Sequence, residues 1–336
     1  MIYIRPIAMT DTLRPAAAIS LAGGWCWFDR VEILERGRAP RLGDLADLTA
    51  EQRVEFSKPR ADFAGLAMNV PRIMGILNVT PDSFSDGGQF LVQEAAVAQA
   101  KAIAANADIL DIGGESTRPG AVDVTNPVEI LRTEPVIAAL RSAGIDTAIS
   151  IDTRKADVAA KALLAGANVV NDVAALRFDP VLSGVVAHHG APVVLMHAQG
   201  GPSDMQKDPR YGNVVLDVYD FLAERIAFAV GRGISHDRIA IDPGIGFGKT
   251  LQHNLALIRA LSVFHGLGCP VLIGASRKKF IGTISGADAP QTRLPGSLAV
   301  ALSAVAQGAQ ILRVHDVGDT RAALALWRAV HVGVAG

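Results

Sequence analysis

Short apolar runs that end in polar residues alternate with longer segments of helical character over most of the chain. Eight runs follow this pattern, at residues 72–78, 108–114, 147–153, 168–173, 191–197, 238–243, 270–276 and 310–316. Their near-continuous apolar character is typical of strands that are buried on both faces. An open doubly wound sheet gives a similar local pattern, but the count of eight strand–helix units favours a closed α/β barrel, the (β/α)8 or TIM-barrel fold.

The segments between the runs have the lengths and the boundaries of helices. They lie at residues 93–106, 126–143, 154–166, 179–189, 214–231, 253–262, 293–307 and 319–332. Glycines lie at or just after several of their ends, as is common at helix C-termini, namely Gly144, Gly166, Gly190 and Gly308. Residues 1–70 lack this rhythm. We therefore predict an N-terminal extension at 1–70, in which 31–36 suits either a strand or a helix, and a barrel at 71–336.

Composition narrows the class of protein. The chain has 336 residues, of which 50% are hydrophobic, whereas a barrel of this type takes ~250 residues. The formal net charge of −1 argues against wholesale nucleic-acid binding, and the longest uncharged run near the N-terminus, 16–28, is shorter than the ~20 residues of a membrane helix. Only Cys26 and Cys269 are present, so no disulfide framework is indicated and a cytoplasmic location is expected.

Barrels of this kind carry their active sites at the C-terminal ends of the strands. Polar residues concentrate at these ends, namely Asn78, Asp111, Asp152, Asn171, His197, Asp242, Lys278, Arg313 and His315. Each residue alone is more often a helix cap or a supporting residue. Together they indicate a binding site, because buried carboxylates and amides need partners, and a nitrogen heterocycle offers several N–H donors and acceptors.

Two features predict a phosphate group in the ligand. Thr117 and Arg118 follow a glycine pair and offer a hydroxyl and a guanidinium, the usual partners of phosphate oxygens. The loops after strands seven and eight, which often form a phosphate site in such barrels, supply Ser276, Lys278 and His315. No catalytic triad or protein-only metal site is recognisable, so we expect a Mg²⁺ ion to be held mostly by substrate phosphates.

A glycine-rich segment imitates a different kind of site. Residues 244–250 read Gly-x-x-x-Gly-Lys-Thr, one residue short of the phosphate-binding loop of nucleoside triphosphatases. Pro243 stands where that motif needs its first glycine. The sequence therefore argues against an ATPase.

The order and the length of the motifs resemble those of dihydropteroate synthases. The segment 75–88, Gly-Ile-Leu-Asn-Val-Thr-Pro-Asp-Ser-Phe-Ser-Asp-Gly-Gly, is similar to the first signature of that family, and 111–120 is similar to the second. Further similar segments follow in the family's order at 150–153, 171–172, 195–197, 242–249, 276–278 and 313–315. The resemblance covers about residues 72–332 and leaves most of residues 1–70 outside.

The resemblance implies a transferase of folate biosynthesis. Its substrates would be 6-hydroxymethyl-7,8-dihydropterin pyrophosphate and 4-aminobenzoate, and its products 7,8-dihydropteroate and pyrophosphate. Pyrophosphate would leave first, and the arylamine would attack the resulting pterin carbocation. The family also implies Mg²⁺ as the cofactor, sulfonamides as competitive ligands, and a homodimer that has no nucleic-acid or membrane partner.

The resemblance assigns roles by position in the motifs. The implied catalytic residues are Asp152, Asp242 and Lys278. The implied substrate-binding residues are Thr117, Arg118, Pro119, Asp152, Asn171, Met196, Asp242, Phe247, Gly274, Ser276, Lys278, Arg313, Val314, His315 and Phe84. Those expected at the pyrophosphate are Thr117, Arg118, Arg313 and His315. Those expected near the aminobenzoate are Ser276, Thr117, Pro119 and Phe84. Asn78 would help to place the metal.

Two alternative functions share parts of this pattern. A pterin-barrel methyltransferase that uses methyltetrahydrofolate would keep the pterin-binding residues, but it would not need a pyrophosphate site, so Thr117, Arg118 and 313–315 argue against it. A barrel that binds a pterin without catalysis would be expected to lose the charged residues of its loops. Those residues are intact here.

Overall fold

The computed structural model describes residues 1–79, 89–116, 123–200 and 205–333. Its strands, in chain order, are β1 (Ile2–Pro6), β2 (Ile19–Ser20), β3 (Trp27–Phe28), β4 (Arg30–Glu35), β5 (Arg41–Asp44), β6 (Arg72–Asn78), β7 (Ile109–Gly113), β8 (Ala148–Asp152), β9 (Val169–Asp172), β10 (Val193–Met196), β11 (Ile239–Asp242), β12 (Leu272–Ile273) and β13 (Ile311–Val314). Its helices are α1 (Ala50–Ser57), α2 (Gln89–Ala104), α3 (Asn126–Ser142), α4 (Ala156–Leu164), α5 (Leu182–His189), α6 (Val214–Gly231), α7 (Leu251–Arg259), α8 (Lys279–Ser285), α9 (Leu294–Val305) and α10 (Val317–His331).

Strands β6 to β13 form one parallel sheet that curves into a barrel. Neighbouring strands follow the order β11, β10, β9, β8, β7, β6, β13, β12. The two outer strands approach each other where Ile241 forms a parallel bridge with Val271 and donates its amide hydrogen to the Pro270 carbonyl over 2.9 Å. The predicted (β/α)8 barrel is therefore confirmed, with a narrow seam between β11 and β12.

Most predicted elements lie close to their observed positions, and the differences have local causes. The four glycines expected at helix ends, Gly144, Gly166, Gly190 and Gly308, all have positive φ. The seventh apolar run gives only the two-residue strand β12. Helix α8 was not predicted, because its seven residues are too few to show a helical period. Residues 31–36, for which a strand and a helix were both possible, belong to strand β4 for most of their length.

The N-terminal extension has a small core of its own and packs against the barrel. Strands β1, β4 and β5 form an antiparallel sheet. The Trp25 indole donates to the Val305 carbonyl over 2.8 Å at the end of α9, and the Ser262 hydroxyl donates to the Pro6 carbonyl over 2.6 Å. The Tyr3 hydroxyl reaches Asp220 on α6. Division of the chain at residue 70 stays a prediction.

Residues 63–68 fill the barrel at the N-terminal ends of its strands. Phe63 and Leu66 pair through two backbone hydrogen bonds of 3.0 Å, which forms a tight turn. Phe63 and Met68 are fully buried in one cluster with apolar side chains from the starts of the barrel strands, among them Met74, Ile109, Val169, Val194, Ala240, Leu272 and Ile311. This turn is therefore the floor of the barrel.

None of the helices among the described residues is long and apolar enough to cross a membrane.

Substitution of Phe63 by alanine should destabilise the fold strongly. The buried ring leaves a cavity among side chains of several strands, and such truncations cost about 3–5 kcal/mol. Urea denaturation would measure the free energy of unfolding. Leu13→Ala, which truncates a side chain that is 87% exposed, is the control and should stay within about 0.5 kcal/mol of the parent. Equal stability of the two variants would contradict the role of the floor.

Candidate active site

The parallel register aligns the polar strand ends at the mouth of the barrel. Asn78 is opposite Gly113, Gly113 is opposite Asp152, and Asp152 is opposite Asn171. These residues end four consecutive strands at nearly the same height. Side chains that are far apart in sequence are thereby neighbours in one layer, as expected when the carboxyl ends of parallel strands meet at one rim.

Arg313 joins two buried carboxylates in this layer. Its Nε donates to Asp111 Oδ2 over 2.6 Å, and its Nη2 donates to Asp152 Oδ2 over 2.6 Å. The Asn171 amide also donates to Asp111 Oδ2, over 3.1 Å. Asp111 is 0% exposed and Asp152 is 6% exposed. A cation between them is required, because two carboxylates this deep would otherwise repel each other in a medium of low polarity.

The second oxygen of each carboxylate is available for a ligand. Asp111 Oδ1 and Asp152 Oδ1 are buried and have no hydrogen-bond partner among the described residues. Buried polar atoms normally have partners, because desolvation without a hydrogen bond is costly. Two unsatisfied acceptors deep in the mouth of the barrel therefore indicate a ligand that carries N–H donors.

Asp242 lies on the other side of the same mouth. Its Oδ1 accepts a hydrogen bond of 2.7 Å from the Gly244 amide. A side chain at Gly274 would come within 3.7 Å of Asp242 Oδ2 and 3.8 Å of the Arg313 side chain. The absence of a side chain at Gly274 therefore keeps open the space between the carboxylate and the guanidinium. Met196, which is opposite Asp242 in the register, is buried next to this space.

Lys278 and Phe247 line another side of the mouth. The Lys278 ammonium lies 4.0 Å from the centre of the Phe247 ring, within the range of a cation–π contact. Phe247 belongs to the glycine-rich segment after β11, and Lys278 ends the turn after β12. These two loops thus bring a cation and an apolar surface to the same place.

Ser276 and His315 meet above strands β12 and β13. The Ser276 hydroxyl accepts a hydrogen bond of 3.2 Å from the His315 amide, and the His315 ring nitrogen Nδ1 lies 3.1 Å from the same oxygen. Arg277 turns away and pairs with Asp316 over 2.9 Å. Val314, at the end of β13, is buried. The loops after strands seven and eight therefore present a hydroxyl and an imidazole, as the sequence predicted.

Asn78 is suitably placed to contribute one oxygen to a metal. Its side-chain Oδ1 and Asp152 Oδ2 are both within 3.8 Å of the position that a side chain at Gly113 would occupy. No group of three potential metal ligands among His, Cys, Asp and Glu occurs in the described part of the chain. This donor set fits Mg²⁺, which is often bound through one or two protein oxygens together with substrate phosphates.

Buried charges hold the residues on both sides of the segment 117–122. Lys155 Nζ lies 2.6 Å from Glu129 Oε2 and 3.1 Å from Glu115 Oε2. Arg154 Nη2 lies 2.6 Å from Asp123 and 3.4 Å from Glu115. Because Arg154 and Lys155 follow β8 closely, the ends of this segment are tied to the strand that carries Asp152.

Comparison with known proteins supports one family. The model of the pterin-binding enzymes matches residues 74–315. A dihydropteroate synthase from Synechocystis sp. is 46% identical over 261 residues, which make up 76% of this chain and 90% of that protein. The chain belongs to the pterin-binding enzymes.

Solved structures of this family agree with the fold. The dihydropteroate synthase of Xanthomonas albilineans with 4-aminobenzoic acid has a TM-score of 0.76 at 49% identity, over 81% of this chain and 98% of that one. The same enzyme in complex with 7,8-dihydropteroate has a TM-score of 0.73 at 46% identity, over the same shares of both chains. The pterin-binding family is thus supported over residues 74–315 by the family model and over 81% of the chain by these structures.

The structure brings most of the predicted site residues of this pterin-binding enzyme to one mouth. Those at the mouth are Asn78, Asp152, Asn171, Met196, Asp242, Phe247, Gly274, Ser276, Lys278, Arg313 and His315. The Val314 side chain instead belongs to the main apolar core, in one cluster with Val317 and Leu324 of α10. Phe84, Thr117, Arg118 and Pro119 lie outside the described residues, so their roles stay predictions. The sequence placed Asp111 among the polar residues of the rim but assigned it no specific part in binding or catalysis.

Arg313 pairs with a residue that the resemblance assigns to a different part of the substrate. The sequence placed it at the pyrophosphate and Asp152 at the pterin, yet the two side chains pair directly. Their partners in the barrel depend on which strands become neighbours when the sheet closes. In this pterin-binding enzyme, Arg313 therefore lies on the border between the two predicted subsites.

Burial raises the pKa of the acids in the mouth. Desolvation raises the pKa of Asp152 to about 7; Arg313 opposes this shift, and Asp111 adds to it. Desolvation also raises the pKa of Asp242, against the opposing effects of the Gly244 amide and of Lys278. Burial therefore makes both acids easier to protonate than an exposed carboxyl group, and a ligand that donates hydrogen bonds would favour their ionised forms.

The raised pKa of Asp152 should appear in the pH dependence of stability. Between an unfolded pKa of about 3.9 and a folded value of about 7, the folded state binds more protons, so stability falls as pH rises. In the absence of substrates, Asp152→Asn should reduce this fall between about pH 5 and pH 7, measured by urea denaturation.

A residual slope should remain, because burial also raises the pKa of Asp172 and Asp242. Asp237→Asn, at an exposed position, is the control and should retain the full slope of the parent. An unchanged slope in Asp152→Asn would contradict the raised pKa.

Proposed function

We propose that this chain catalyses the dihydropteroate synthase reaction, in which 6-hydroxymethyl-7,8-dihydropterin pyrophosphate and 4-aminobenzoate give 7,8-dihydropteroate and pyrophosphate. The enzyme is a transferase of folate biosynthesis. The observation that carries the proposal is the layer of buried acids joined by Arg313, in which Asp111 and Asp152 each keep one oxygen for a ligand.

The pterin ring complements this layer. Its N–H donors can reach Asp152 Oδ1 and Asp111 Oδ1, and an Asn171 amide on the same side provides a further polar contact. Asp242 and Lys278 bound the opposite side of the mouth, and the space above Gly274 lies between Asp242 and the Arg313 side chain. Charge-assisted hydrogen bonds of this kind are about twice as strong as neutral ones, which suits recognition of a small polar heterocycle.

The leaving group would lie toward the loops after β12 and β13. Ser276 and His315 are in contact there, and Lys278 adds a positive charge nearby. Thr117 and Arg118, which lie outside the described residues, are proposed to complete the set. Donors that are fixed before the reaction stabilise charge as it develops on the departing pyrophosphate, without the cost of reorganisation.

The chemistry then needs no catalytic triad. Cleavage of the carbon–oxygen bond gives pyrophosphate and a carbocation at the pterin methylene. The arylamine nitrogen donates its lone pair to that carbon and loses one proton, which completes the carbon–nitrogen bond. Asp152 and Asp242 stabilise the cation through their negative charge, because electrostatic attraction is stronger in a buried site than in water. The arylamine is already nucleophilic because it is uncharged at neutral pH.

The second substrate is proposed to lie nearer the solvent. Phe247 and the stem of Lys278 offer an apolar wall for the benzoate ring, and Phe84, Thr117, Pro119 and Ser276 are proposed as its other contacts. Sulfonamides are arylamines of similar shape, so we expect them to compete for this position.

Mg²⁺ is proposed as the cofactor, with Asn78 as its protein ligand. When bound, the ion would neutralise charge on the pyrophosphate and so improve the leaving group. The location of Asn78 next to Asp152 supports this proposal.

A homodimer in the cytoplasm is proposed on the basis of the family. Sedimentation analysis of the purified protein would test the dimer.

Asp152→Asn and Asp242→Asn should weaken binding of the pterin substrate more than binding of 4-aminobenzoate. An amide replaces one acceptor by a donor, and the loss of a charged hydrogen bond costs about 1.5–3 kcal/mol. Calorimetric titration with each substrate measures both affinities. Asp237→Asn, at an exposed position, should bind like the parent. Unchanged pterin affinity in both site variants would show that the pterin assignment is wrong.

Pyrophosphate release should require both Mg²⁺ and the pterin substrate. Because the described residues supply few metal ligands, a chelator in excess should remove the ion and lower turnover by at least about tenfold. Dihydropteroate and pyrophosphate would be measured together, with and without added Mg²⁺. Full activity in the chelator would contradict the role of the metal. Absence of dihydropteroate under every condition would contradict the proposed function itself.

A further inference from the structure

Lys249 is a buried lysine in the barrel mouth that the proposed reaction does not use. It ends the glycine-rich segment that imitates a nucleotide-binding loop, and it is only 3% exposed. A buried lysine is costly unless its N–H groups find acceptors. The Lys249 Nζ atom lies 2.8 Å from His197 Nδ1, 2.9 Å from the Phe247 carbonyl and 3.3 Å from the His197 carbonyl. Burial lowers the pKa of Lys249 well below its ordinary value, and three acceptors surround its N–H groups.

These contacts add to others between the same two segments, in which the Tyr211 hydroxyl donates to the Gly248 carbonyl over 2.7 Å and the Gln206 amide donates to the Gly246 carbonyl. Lys249 is the contact that reaches the Phe247 carbonyl. His197 follows β10, and its amide donates to the Asp242 carbonyl of β11 over 3.0 Å. The His197 ring packs edge-on against Phe221, with ring centres 4.7 Å apart. Burial and the adjacent Lys249 hold the pKa of His197 far below its ordinary value. The imidazole is therefore neutral, and a neutral ring nitrogen can accept the hydrogen bond from Lys249.

The segment held by Lys249 is also the support of Lys278. Phe247, whose carbonyl Lys249 contacts, has its ring 4.0 Å from the Lys278 ammonium. Gly246, with φ of +84°, is so close that an added side-chain carbon would lie 3.0 Å from Lys278 Cδ. A lysine side chain has many rotamers, so the position of its charge depends on the surface beside it. The path of residues 246 and 247 therefore sets where the Lys278 ammonium lies.

The Asp242 carboxylate also acts on the charge of Lys278. We infer that Lys249 is a positioning residue for Lys278, and that it acts by fixing Phe247 against the end of β10. This inference rests on the proposed function, because Lys278 is assigned there to the pterin substrate. Lys249 does not act on the substrate directly in this scheme. It keeps the aromatic wall in place, and Lys278 takes its position from that wall.

A double-mutant cycle separates this role from a purely structural one. Lys249→Met keeps the length of the side chain and removes the N–H donors. In the parent background it should lower kcat/KM for the pterin substrate by about 10–100-fold, as small displacements of catalytic groups do. In the Phe247→Leu background, where the aromatic wall is already lost, Lys249→Met should have little further effect on kcat/KM. The effect of Lys249→Met on Tm should be similar in the parent and in the Phe247→Leu background.

The control is Lys161→Met, which makes the same change at an exposed position of α4 and should leave kcat/KM and Tm unchanged. Lys249→Gln, which keeps one donor group, should fall between the parent and Lys249→Met in kcat/KM. It also serves as the second variant if Lys249→Met does not fold.

Several outcomes would overturn the inference. A lower Tm with normal kcat/KM in Lys249→Met would make Lys249 a structural residue only. The same fold-loss of kcat/KM in the parent and in the Phe247→Leu background would show that it does not act through Phe247. Failure of both Lys249 variants to fold would assign the residue to folding. If the parent forms no dihydropteroate, the proposed function fails, and the positioning role fails with it.

Discussion

The burial of carboxylates in the barrel mouth is the constraint on which the rest of the site depends. Asp111, in the middle of β7, and Asp152, at the end of β8, are removed from water, so their charges need a compensating cation. Arg313 supplies it from β13, which lies two strands from β7 and three strands from β8, and its long side chain reaches both acids. Removal of one partner from such a buried ion pair typically costs about 3–5 kcal/mol.

The two ends of the barrel differ in chemical character and in function. The N-terminal ends of the strands surround an apolar cluster with Phe63 and Met68, and the C-terminal ends carry acids, amides and bases. The extension contacts α6, the segment 261–267 and the end of α9, and none of these contacts involves a proposed site residue. Stability and recognition are thus assigned to different residues, which is common in barrels of this class.

The sequence predicted those features that depend on local pattern. Strands buried on both faces give apolar runs, so eight of them could be counted, and their polar ends could be assigned to one rim. It could not predict that Arg313 bridges Asp111 and Asp152, because such a contact depends on which strands are neighbours after closure. Helix α8 was missed because seven residues show no period. The role of Lys249 was hidden by a motif that resembles a different kind of site.

The closed floor of the barrel has a consequence for the order in which ligands bind and leave. Because the cluster around Phe63 blocks one end, ligands can enter and leave only through the mouth. Asp111, at the bottom of the pocket, is 0% exposed, whereas Lys278 and His315 lie nearer the solvent. A molecule that binds the acids must therefore arrive before the molecule that lies above it. The barrel therefore has one open end, and the component that binds last covers the one that binds first.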